Sequence, residues 1–139
     1  MPHPLDLLPV PATYTRVLLQ RLPGVQAQLL AGTGLEAGSG VLPDEITVAQ
    51  QLQVFRNAMG LTRQPHWGIE FGKLLNISSH GLFGFAVLSA ASLVEGLQVL
   101  AHFARIRAPY LGFRVSETTE HLTLELRADI YPLGELEVP

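Results

Sequence analysis

Two consecutive segments decide the fold class. The first is Ser92-Leu-Val-Glu-Gly-Leu-Gln-Val-Leu-Ala-His-Phe-Ala-Arg-Ile-Arg107 and the second is Leu111-Gly-Phe-Arg-Val-Ser-Glu-Thr-Thr-Glu-His-Leu-Thr-Leu-Glu-Leu-Arg-Ala128. In the first, Leu93, Leu97, Leu100, Ala101 and Ala104 recur at helical spacing and predict a buried stripe. Ser92 followed by Glu95 matches a capping box at its start. Arg105 and Arg107 suit the negative end of the helix dipole, and Pro109 stops the helix. In the second, the period changes to two. Phe113 and Val115 alternate with Arg114 and Ser116, and Leu122, Leu124 and Leu126 alternate with Thr123, Glu125 and Arg127. That is a hairpin over about 111–128 with one buried and one wet face. Helices followed by an antiparallel hairpin make an α+β fold, with N-terminal helices packed on a small antiparallel sheet.

Upstream the reading is helical. Residues 1–12 hold Pro2, Pro4, Pro9 and Pro11 and predict an extended proline-rich arm, leaving residues 13–139 as the domain proper. A helix is expected from Thr13 to Leu22, interrupted by Pro23-Gly24, and a shorter one over Val25–Ala31. Four glycines within Gly32–Gly40 predict a loop. Thr47 and Gln50 form another capping-box match, and Val48, Leu52, Phe55 and Met59 then recur at helical spacing. Gly60 fits a C-terminal stop. A short helix is expected over Pro65–Leu75.

With 139 residues, 47% of them apolar and 15% charged, the chain can bury a core and form one domain. Its net charge of −3 lacks the basic excess that gripping phosphates requires, so no DNA or RNA binding by this domain itself is expected. The absence of cysteine excludes disulfides and thiolate sites and fits a cytoplasmic location. The longest apolar run, Gly81–Ala91, is about half the length of a membrane span, so no membrane partner is expected.

Catalytic patterns are missing. Gly32–Gly38 misses the dinucleotide spacing, and Gly72-Lys73 is followed by leucine where a phosphate loop needs Ser or Thr. No serine sits in a nucleophile elbow, and no carboxylate pair has an acid/base setting. The histidines show no metal-binding spacing, although His66, His80 and His102 could meet in the fold. No cofactor, no metal and no enzymatic activity are expected. What remains is material for a ligand pocket: His66 and Trp67, Phe83 beside glycines, His80, Arg105 and Tyr110. Residue by residue, Trp67, Phe83 and Phe85 read more readily as core than as pocket walls.

Ordered motifs add a resemblance. Ile46-Thr-Val48 and the helix to Met59 come first, then Pro65-His-Trp-Gly68-Ile-Glu-Phe-Gly72. Next is His80-Gly-Leu-Phe-Gly84-Phe-Ala-Val-Leu-Ser89, and then the capped Ser92-Leu-Val-Glu-Gly-Leu helix. Over roughly residues 13–131 this order resembles the N-terminal effector-sensing, arabinose-binding-like domain of AraC-type bacterial transcription regulators. Gly96 departs from the family's more usual alanine. The resemblance implies a module that senses a small-molecule effector and mediates homodimerisation. DNA binding would belong to a C-terminal helix-turn-helix that this chain lacks, which marks the chain as a fragment truncated before that domain. The alternative reading is a stand-alone sensory domain for haem or lipid. An open sheet edge would favour pairing with a second copy.

Overall fold

The computed structural model describes residues 3–36 and 41–128. The fold is α+β and divides into two compact units, with the boundary between Leu75 and Asn76.

In the first unit the proline-rich arm is tied down. A 3-10 turn over Pro4–Leu7 leads into β1 (Pro9–Pro11), which pairs antiparallel with β2 (Glu45–Thr47) in the register Val10↔Ile46. Pro9 and Pro11 offer no N–H, which suits a two-stranded edge ladder. The flanking bonds are Val48 N–H to the Leu8 carbonyl at 3.0 Å and Ala12 N–H to the Asp44 carbonyl at 2.9 Å. α1 (Thr13–Arg21) and α2 (Gln26–Leu29) follow the arm. α3 (Val48–Thr62) starts at the expected capping box: Gln50 N–H donates to Thr47 Oγ1 at 3.2 Å, and Thr47 N–H to Gln50 Oε1 at 2.9 Å.

Two expectations for α3 need correction. Gly60 does not end the helix; α3 runs on to Thr62, and Arg63 takes the left-handed cap at φ 49°. Gly60 lies in open space inside the helix. The buried face also differs. Val48, Gln51, Leu52, Val54 and Ala58 are buried, whereas Phe55 and Met59 are half-buried. The core joins Leu18, Leu29, Leu30, Leu42, Val54 and Ala58, with Trp67 and Phe71 of α4 (Trp67–Leu74) packed against it. Asn57 anchors α2 to α3, its amide nitrogen donating to the carbonyls of Leu29 and Ala31 at 2.8 Å each. Of the expected glycine loop, residues 37–40 lie outside the described residues.

In the second unit, Asn76 caps a 3-10 turn over Ile77–His80, accepting from Ser79 N–H at 3.2 Å. Gly81, at φ +61°, turns the chain into α5 (Gly81–Leu88). Gly84 is buried against the Ile77 carbonyl, so no side chain fits there. Ser92 caps α6 (Leu93–Phe103), accepting from Glu95 N–H at 3.2 Å. The return bond differs from the expected box: Glu95 Oε2 accepts from Ala91 N–H at 2.8 Å.

The apolar positions of this unit are also less covered than their spacing predicts. Leu93 is 73% exposed and Leu97, Leu100 and Ala101 are half-buried, while the fully buried positions are Gly96, which packs on α5, and Ala104 just beyond the end of α6. Phe85 is 52% exposed, so it is not core. β3 (Leu111–Glu117) and β4 (Leu122–Ala128) form the expected hairpin, pairing Phe113 with Leu126 and Val115 with Leu124. α6 packs on β3. Leu124 and Leu126 remain exposed, so the alternation marks the hairpin correctly while its apolar face is covered only toward β3. Thr118 Oγ1 accepts from His121 N–H at 3.0 Å and fixes the turn.

Candidate ligand site

Each unit contains a cavity of ligand-pocket character. That of the first unit is a half-open groove of about 320 Å³ whose lining is polar and apolar in equal measure. α1 contributes Arg16 and Gln20, α2 contributes Gln26, and the following segments contribute Glu36 and Asp44, over an apolar floor that includes Leu42. The pairing of β1 with β2 brings these distant residues together, since it lays the segment before β2 alongside the start of α1. Arg16 closes the arrangement. Its Nη2 donates to the Pro43 carbonyl at 3.0 Å, the Leu42 carbonyl at 3.4 Å and Asp44 Oδ1 at 3.3 Å. Gln26 Nε2 donates to the Leu19 carbonyl at 3.3 Å, which leaves its amide oxygen as an acceptor at the rim.

The cavity of the second unit is about 230 Å³ and wholly apolar, lined by Leu82, Phe83, Ala86, Phe103 and Ile106. At the start of α5 nearby in sequence, the Arg107 guanidinium stands 2.5 Å from where a Gly81 Cβ would be. His80 titrates below the ordinary histidine value, because burial disfavours its charged form and, secondarily, because Arg107 repels it.

The residues expected from the sequence are divided between the units. His66 is exposed at the N-cap position of α4, and Trp67 stacks on Phe71 with ring centroids 5.8 Å apart, as part of the first unit's packing. His80, Phe83, Arg105 and Tyr110 belong to the second unit. Phe83 lines the apolar slot, Tyr110 is 4% exposed, and Arg105 lies in the 3-10 turn after α6. Neither cavity is lined by the other five residues. Among the described residues, no group of three His, Cys, Asp or Glu side chains could hold a metal ion. The groove of the first unit was not anticipated. Its one local signal is the i, i+4 polar pair Arg16 and Gln20 on a helix whose other face carries Leu18 and Leu22.

Residues 24–137 match the family of the arabinose-binding domain of AraC transcription regulators, N-terminal. The chain belongs to this family. Among its relatives, the ornithine utilization regulator of Pseudomonas aeruginosa is 33% identical over 87 residues, which is 62% of this chain and 25% of that protein. HTH-type transcriptional regulators of Mycobacterium bovis and Mycobacterium tuberculosis, both described as uncharacterized, are 29% identical over 108 residues, 76% of this chain and 31% of theirs. This AraC-type domain thus spans between a quarter and a third of the curated relatives it matches. The family is named for transcription regulators, and these relatives are described as regulators. No helix among the described residues is long and apolar enough to cross a membrane.

Proposed function

We propose that this AraC-type domain is the effector-sensing and dimerisation module of a bacterial transcription regulator. It acts in the cytoplasm and controls DNA binding by a helix-turn-helix C-terminal to it. The observation that carries this reading is the family match across residues 24–137, joined to relatives described as HTH-type regulators. The net charge of −3 supports a division of labour, with phosphate contacts left to the other domain. In this reading the arm of residues 1–12 and the domain of residues 13–139 work as one sensing module. The effector acts by binding one arrangement of the dimer better than the other, since only differential affinity shifts such an equilibrium.

A chimera tests this, with the chain placed ahead of the helix-turn-helix domain of a family regulator. The expected result is a dimer in sedimentation whose affinity for that regulator's operator changes with effector. A monomer, or a DNA affinity indifferent to every compound that the domain binds, contradicts it. A second reading, a lipid-sensing domain, is favoured by the apolar slot around Phe83. Haem fits that slot poorly, because its lining offers no axial ligand.

A further inference from the structure

We draw no further inference here: the strongest candidate, the apolar surface of the second unit where Leu82, Phe83, Ala86, Phe103 and Ile106 line the slot between α5 and the end of α6, is an unpartnered apolar face, and nothing in the structure shows what covers it.

Discussion

The Arg16 guanidinium meets the Asp44 carboxylate at 3.3 Å while the same nitrogen reaches the Pro43 carbonyl at 3.0 Å. The two partners differ in consequence. Asp44 is fully exposed, and an exposed ion pair contributes little to stability. The bonds to the backbone hold α1 against the segment before β2. Arg16→Ala is therefore expected to destabilise the chain by about 1 kcal/mol. Asp44→Asn should leave the urea midpoint nearly unchanged. Equal effects of the two substitutions would show that the ion pair, not the carbonyl anchorage, carries the interaction.

Asn57 closes the C-terminal end of α2, where helix carbonyls lack partners of their own. Its two amide hydrogens serve Leu29 and Ala31, and its oxygen accepts from Gln53 Nε2 at 2.9 Å. Asn57→Ala is expected to cost roughly 1–3 kcal/mol in denaturant unfolding. Asn57→Asp should cost more than Asn57→Ala, because it faces a carboxylate toward two carbonyl oxygens. A smaller loss for the aspartate variant would mean that the donor role has been misassigned.

Two glycines of the second unit separate close packing from incidental space. An added Cβ at Gly84 collides with the Ile77 carbonyl and comes within 3.1 Å of His80 Cβ. The collision is with backbone, so Gly84→Ala should destabilise by about 1–3 kcal/mol or more. At Gly96 the nearest atom is the Val87 carbonyl at 3.4 Å, an ordinary contact. Gly96→Ala should stabilise by up to about 1 kcal/mol through helix propensity. Thermal unfolding of the pair should shift in opposite directions.

His80 sets a pH dependence. Its pKa in the folded chain lies below the unfolded value of 6.5, through burial first and the Arg107 charge second. Between the two values the unfolded chain binds the proton and the folded chain does not, so stability falls as pH falls. The contribution is fully present above pH 6.5 and is lost as pH drops through the folded value. In urea titrations from pH 7.5 downward, His80→Gln should lose less stability than the wild type. Parallel curves would remove His80 as the source.

The parts of the fold legible in the sequence were those written in contiguous residues. The Thr47–Gln50 capping box, the start of α1 and the alternation across the β3–β4 hairpin each follow from local rules, and the structure has them. What failed depends on tertiary context. Gly60 looks like a stop, but nothing obliges a glycine in open space to leave a helix, and Arg63 takes the left-handed position instead. Leu93 keeps helical spacing yet stays 73% exposed, because no described element of its unit covers it. Gln51 is fully buried within α3, against any expectation from polarity. The groove of the first unit was least legible, because Arg16, Glu36 and Asp44 become neighbours only once β1 and β2 pair. Chemical type does not say which of two units a side chain joins: His66 and Trp67 lie in the first, and His80, Phe83, Arg105 and Tyr110 in the second.

The sensing role stands or falls on ligand-dependent stability. Thermal unfolding of the chain in a panel of amino acids, sugars and fatty acids measures it, because a compound that binds only the folded state raises the midpoint with the logarithm of its concentration. At least one compound class should raise the midpoint progressively with concentration. A midpoint that stays fixed across the whole panel up to millimolar concentrations would contradict an effector-sensing domain.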